Sequence, residues 1–161
     1  MSQDEAEDLY SLLAPLANGR MIVPRSCVAE IIGSSGIHEV AGAPAWLLGV
    51  VRWKDRDLPV ISLEGACHRE VPEASRRSRI AVFAALTDKV PGGYLGILTQ
   101  GFPQLVRVNP DVLQVDNAPQ YSEDEPVLCQ LRMMNERPVI PDLERLEEMT
   151  SEYFDARATQ Y

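Results

Sequence analysis

The imidazoles and thiols in this 161-residue chain that could act as nucleophiles or metal ligands are few: two histidines and three cysteines. His68 adjoins Cys67, while His38, Cys27 and Cys129 stand apart. A zinc site wants about four ligands in pairs such as C-x2-C or H-x3-H, and the chain has no such pair. The favoured reading of Cys67 and His68 is a half-buried thiol beside a surface imidazole in a loop. A Ser–His–Asp or Cys–His set lacks its carrier, because G-x-S-x-G does not occur. Gly33-Ser34-Ser35-Gly36 lacks the lysine and spacing of a P-loop, and Gly92-Gly93 reads as a turn rather than part of G-x-G-x-x-G. Glu123-Asp124-Glu125 has no calcium-loop spacing and reads as a solvated charge cluster. The expectation is a protein that is not an enzyme, with no catalytic residue, no metal and no cofactor.

What remains is a surface question. Ala43-Pro44-Ala45-Trp46-Leu47-Leu48-Gly49 sets a Trp and two leucines beside a proline, and Arg52, Trp53, Lys54 and Arg56 follow at once. Alternate residues of a strand face opposite sides, so Arg52 and Lys54 are expected on one face, with Val51 and Trp53 on the other. One reading is a buried Trp53 with solvated cations. The other is a basic edge that recognises a partner, since Arg and Trp are over-represented where binding energy concentrates.

The elements that must position these residues sit in a chain about one domain long. Fifteen basic against 24 acidic residues leave a net charge of 15 − 24 = −9, which disfavours nucleic acid and an anionic membrane surface. A composition of 45% hydrophobic and 24% charged residues is that of a soluble globular protein. MSQDEAEDLY has neither the basic nor the apolar region of a secretory signal, and no apolar run approaches the ~20 residues of a membrane span. Three distant cysteines fit reduced thiols, so the expected location is the cytoplasm, without membrane insertion.

Twelve prolines and ten glycines cut the sequence into short apolar runs rich in Val, Ile and Leu, the signature of strands. These are expected at 9–16, 21–23, 28–32, 47–53, 58–63, 79–86, 94–99, 105–108, 127–133 and 139–140. Asn18-Gly19 predicts a hairpin with a type I′ turn, and Lys54-Asp55-Arg56-Asp57 a polar turn. Residues 67–78 and 116–126 read as surface connections. Leu143, Leu146, Met149 and Tyr153 recur at helical steps after Asp142, an N-cap candidate. The expected fold is all-β with one C-terminal helix. Residues 47–53 can be laid on 127–133 at an offset of 80, and Pro59-Val60-Ile61 on Pro138-Val139-Ile140 at 79. Two halves, each too small for a robust core of its own, are therefore expected to share a hydrophobic seam, with the break near 67–78.

From Pro44 through Gly49-Val50-Val51-Arg52-Trp53-Lys54-Asp55-Arg56-Asp57-Leu58-Pro59-Val60-Ile61-Ser62-Leu63, the sequence resembles the CheW-like family, the coupling proteins of bacterial chemosensory arrays. Val28-Ala29-Glu30-Ile31-Ile32, Gly93-Tyr94-Leu95-Gly96-Ile97-Leu98 and Arg137-Pro138-Val139-Ile140-Pro141-Asp142-Leu143 extend the likeness over residues 8–147, leaving 1–7 and 154–161 as expected flexible tails. The resemblance implies two five-stranded SH3-like barrels on a common core. It also implies an adaptor bridging the cytoplasmic tip of a methyl-accepting chemoreceptor to a CheA-type histidine kinase. Positions resembling the family's receptor-contact surface are Val28, Glu30, Gly49, Lys54 and Gly96; Arg52 joins them as part of the basic edge. The receptor tip is expected in an apolar groove between the barrels, with Glu30 and Lys54 at its rim.

The family's Asn-Leu-Arg-Gly is here Arg52-Trp53-Lys54-Asp55, and Ser62 stands where the family has Asp. A lysine at 54 lacks arginine's bidentate fork. These departures point to an auxiliary coupling protein, with the ChpC-like proteins of pilus-linked (twitching motility) arrays as a candidate subgroup. The alternative reading of the residues is a small-molecule-binding β-barrel sensor, its ligand held at the junction of the halves.

Overall fold

The computed structural model describes residues 9–109, 111 and 113–158. Eleven strands form: β1 (Leu9–Leu16), β2 (Gly19–Pro24), β3 (Val28–Gly33), β4 (Leu47–Trp53), β5 (Arg56–Ile61), β6 (Arg79–Ala84), β7 (Tyr94–Thr99), β8 (Gln104–Val108), β9 (Gln114–Asp116), β10 (Val127–Arg132) and β11 (Val139–Pro141). A one-turn helix α1 (Leu63–Ala66) follows β5, and the long helix α2 (Leu143–Ala158) follows β11. Two features were not expected, β9 and α1. Both are too short for a periodicity to register.

The strands make two sheets. One has six strands in the order β8-β1-β2-β11-β10-β9, and the other five in the order β3-β6-β7-β5-β4. Each curls around its own apolar cluster as a small barrel. Leu13, Ile22, Val108 and Leu131 fill the first, and Val51, Trp53, Leu58, Val60, Ile80, Val82 and Leu98 fill the second. The period-2 alternation of strands turns the intervening residues outward, and here the outward faces meet. Met21 and Val23 of β2, Ala81 and Phe83 of β6 and Leu95 and Ile97 of β7 form a third cluster, sealed by Leu146 of α2. The shared seam is therefore real, but it is a packed core rather than the open apolar groove expected: Met21, Ile61, Ile97 and Leu146 are fully buried there.

The break between the halves does not fall at 67–78. Residues 67–78 join α1 to β6 within the five-stranded barrel, whose strands run continuously from Val28 to Thr99, while β1 and β2 return to the other barrel beside β8 to β11. The repeat is permuted, with the first hairpin of the chain completing the second copy. Its detail is close. A bulge lies between Leu47 and Gly49 where β4 meets β5, and another between Val127 and Cys129 where β10 meets β11, each 80 residues on. β5 runs parallel to β7 through Val60 and Gly96, and β11 parallel to β2 through Val139 and Met21. Ser62 caps α1 by accepting from the Gly65 amide at 3.0 Å. Asp142 accepts from the Arg145 amide at 3.1 Å at the same place in the repeat. Ser62 and Asp142 thus do the same capping work in the two copies.

Two local expectations shift. Leu16 pairs with Gly19, so the β1–β2 loop is Ala17-Asn18 rather than Asn18-Gly19, and neither loop residue has positive φ. The Ala17 amide donates to buried Glu64 Oε2 at 2.9 Å, a tertiary bond that local turn preference cannot register. At the other end, α2 runs through Ala158, past the tail boundary at 154, because Phe154 and Tyr153 pack on the central core. The remainder of both expected tails and residue 8 lie outside the described residues. No helix among the described residues is long and apolar enough to cross a membrane.

Candidate docking site

Trp53 closes the end of the five-stranded barrel, with 8% of its surface exposed. Its indole N–H reaches the rim and donates to Glu30 Oε2 at 2.6 Å. Glu30 can meet it because β3 carries a bulge between Val28 and Glu30 against β6, and bulges re-aim side chains at a strand's edge. Trp53 pairs with Arg56 across the hairpin, leaving Lys54-Asp55 as a two-residue loop with φ of 45° and 62°. Both central residues are left-handed, as a type I′ turn requires. Asp tolerates this at modest cost, and Lys pays more.

That turn changes where the cations go. Lys54 is not a strand neighbour of Arg52 on a common face: it leaves the strand and folds back, its Nζ 5.0 Å from the Trp53 ring centre. Arg56 stacks on the Tyr94 ring at 4.8 Å and approaches Trp53 at 6.0 Å, and it donates to the Gly92 carbonyl at 2.8 Å. Trp53 and Tyr94 meet edge to face, ring centres 4.9 Å apart. Gly92 and Gly93, at φ of 83° and 78°, make the tight turn that brings that carbonyl and Tyr94 to the cluster. Each exposed cation–aromatic contact is worth about 0.5–1 kcal/mol. The stacked groups are thereby held in place before any partner arrives.

The six expected site residues divide four ways. Glu30 and Lys54 flank the same indole. Arg52 lies apart, exposed and paired with Asp57 at 3.2 Å, a surface bridge of little energetic consequence. Gly49 and Gly96 are buried and present no side chain to a partner. A Cβ on Gly96 would lie 2.7 Å from Ile80 Cγ2, inside the barrel. A Cβ on Gly49 would lie 2.2 Å from the His38 carbonyl oxygen. Val28 is half-buried against the central core. The glycines therefore shape the surface from beneath. Arg56 and Tyr94 belong to the cluster and were not expected in it. Arg56 stood in the quoted basic run as its signal, but Tyr94 had none, because a contact between β4 and β7 is invisible to local spacing.

The chemistry around Cys67 is separate. Burial first, then the Glu125 carboxylate, push its thiol up to about 11, with Arg69 pulling the other way. His68 turns outward, exposed, 3.6 Å from Asp124. The two adjacent residues face different surroundings.

An aromatic pair edged by two cations and one carboxylate is an arrangement that can hold a partner by shape, stacking and charge. The fold bears on which proteins share that design. The fold superposes on that of the scaffolding protein TtCheW from Thermoanaerobacter tengcongensis with a TM-score of 0.71, covering 86% of each chain at 16% identity. A comparison with curated proteins finds no sequence match. The CheW-like domain pattern itself matches residues 11–148. That span takes in both barrels, the Trp53 cluster and the start of α2, and by it the chain belongs to the CheW-like domain family.

Proposed function

We propose that this chain is a non-enzymatic coupling adaptor of a bacterial chemosensory array, joining the cytoplasmic tip of a chemoreceptor to a CheA-type histidine kinase. The observation that carries the reading is the Trp53 cluster. Glu30 and Lys54, the two charged positions that resemble the family's receptor-contact surface, converge on one indole at the open end of a barrel. Val28 and Arg52 are further proposed contact positions, and Gly49 and Gly96 shape the backbone of the barrel from beneath. The protein works in the cytoplasm at membrane-associated arrays, by docking and population shift rather than bond chemistry. The departures at 52–55 fit an auxiliary coupling protein of the ChpC-like, pilus-linked kind.

The test is complex formation between the purified protein, a soluble receptor signalling tip and the regulatory domain of the kinase. Lys54→Glu replaces the cation above Trp53 without touching the core. It should weaken receptor binding about tenfold or more, the size of a moderate interface contribution, with an unchanged circular dichroism spectrum. Wild-type protein that binds neither partner would end the adaptor reading. An unchanged affinity after the reversal would remove Lys54 from the site.

A further inference from the structure

A second feature lies away from the Trp53 cluster, where the two barrels meet beside α1. A cavity of about 120 Å³ opens there, and three arginines line it: Arg20 of β2, Arg137 just before β11, and Arg69 just after α1. Glu64 is the lining carboxylate, and its oxygens are turned to the Ala17 amide at 2.9 Å and the Ser62 hydroxyl at 3.3 Å. Three arginines and one carboxylate line the cavity, and Glu136 and Asp116, outside the lining, stand against Arg20 and Arg137.

The arginines are only partly committed. Arg20 offers its Nε to Glu136 at 3.1 Å, which leaves its terminal nitrogens free for a bidentate contact. Arg137 is 3.5 Å from Asp116, long for a hydrogen bond. Arg69 has no ion-pair partner among the described residues. Tyr121 also borders the cavity and donates its hydroxyl to Gln130 at 3.2 Å. Between the cations the wall is apolar, formed by Leu63, Val127 and Val139.

From this arrangement we infer that the cavity is a binding site for a compact organic dicarboxylate. Cations come from both barrels, Arg69 from one and Arg20 and Arg137 from the other, with an apolar wall between them. A short diacid matches that order, one carboxylate for each side and methylenes for the wall. Inorganic phosphate has no apolar part to use the wall. A cavity of about 150 Å³ takes a benzene-sized molecule, so 120 Å³ with an open mouth suits a four-carbon acid. A ligand held from both sides would tie the barrels together and raise the melting temperature of the folded state alone. The site stands independently of the docking reading, since none of its residues belongs to the Trp53 cluster.

Succinate is the probe, titrated into the 161-residue chain by calorimetry and followed by amide chemical shifts at constant ionic strength. Saturable binding at about 1 mM or tighter is expected, with shifts at residues around α1 and β11. Arg69→Gln, at an exposed position that the fold does not need, should weaken it at least tenfold, and Arg137→Gln should weaken it as well. Inorganic phosphate should fail to displace the diacid. No saturation up to about 10 mM succinate, binding that survives both substitutions, or equal competition by phosphate would each overturn the assignment. Variants are compared only after their circular dichroism matches the parent, and if Arg69→Gln fails that check Arg137→Gln decides.

Discussion

Replacing Gly49 by alanine separates a residue that touches a partner from one that shapes the surface for it. The backbone at Gly49 has φ of 149°, a region L-residues rarely adopt, and holding a side chain there costs about 1–3 kcal/mol. The new Cβ would also sit 2.2 Å from the His38 carbonyl oxygen and 2.8 Å from its carbon. That carbonyl cannot retreat freely. It accepts from the Val50 amide at 2.9 Å, and the His38 amide donates to the Val50 carbonyl at 2.9 Å. Relieving the clash means giving up both bonds, each about 0.5–1.5 kcal/mol. The total is about 2–6 kcal/mol, against about 5–15 kcal/mol for a whole domain. For a chain of this size the loss corresponds to a fall in Tm of about 4–24 °C. Thermal and urea unfolding followed by circular dichroism measure it. At a temperature where the variant is still folded, receptor binding should recover to near the parental affinity. A Tm within about 3 °C of the parent would refute the reasoning, and so would a binding defect in fully folded protein, which would make Gly49 a contact after all.

Two other perturbations probe the rest of the fold. Glu147 of α2 is 2% exposed and accepts from the amides of Leu86 and Thr87 at 2.8 and 2.9 Å and from the Thr87 hydroxyl at 2.6 Å. Glu147→Ala should cost about 2–4 kcal/mol by stranding those donors, and faster hydrogen exchange at Leu86 and Thr87 would locate the damage. A thiol raised from 9.0 to about 11 carries about a hundredfold less thiolate at pH 8 than an unperturbed one. Cys67 should therefore react with iodoacetamide far more slowly in folded protein than in urea, and equal rates would contradict its burial. Its folded pKa is raised, so its contribution to stability is whole below pH 9.0 and lost as pH climbs towards 11.

The strands were legible because their burial is regular. β4 alternates buried and less-buried positions from Leu47 to Trp53 with Arg52 exposed, the pattern that period 2 imposes on a half-buried strand. The long helix was legible for the same reason, through Leu143, Leu146 and Met149. α1 was not. Leu63-Glu64-Gly65-Ala66 contains a glycine and makes one turn, and what holds it is the Ser62 cap and burial against the seam. A Cβ on Gly65 would come within 2.9 Å of the Trp46 backbone. The candidate site was half legible. Glu30 and Lys54 were found through resemblance, but the face shared by Arg52 and Lys54 dissolved because a two-residue turn at Lys54-Asp55 ends the alternation. The offset of 80 announced two halves. The position of the break misled because the repeat is permuted, and a permutation leaves no mark in local spacing.

The permuted repeat also gives the aromatic cluster a counterpart at the end of the other barrel. The hairpin tips are equivalent: Trp53 and Lys54 stand where the other copy has Met133 and Met134, and Arg56 where it has Glu136. In both copies the residue after the turn reaches across to the strand beside the hairpin. Arg56 stacks on Tyr94 of β7 at 4.8 Å, and Glu136 pairs with Arg20 of β2 at 3.1 Å. The backbone solution is one, and the surface chemistry is two. One tip presents an indole framed by cations, the other a methionine that is 88% exposed above an ion pair. The core positions, Trp53 among them, must stay apolar for either barrel to fold, whereas the turn positions at 54 and 134 carry no such burden. A surface difference that folding does not require is where recognition has room to be built.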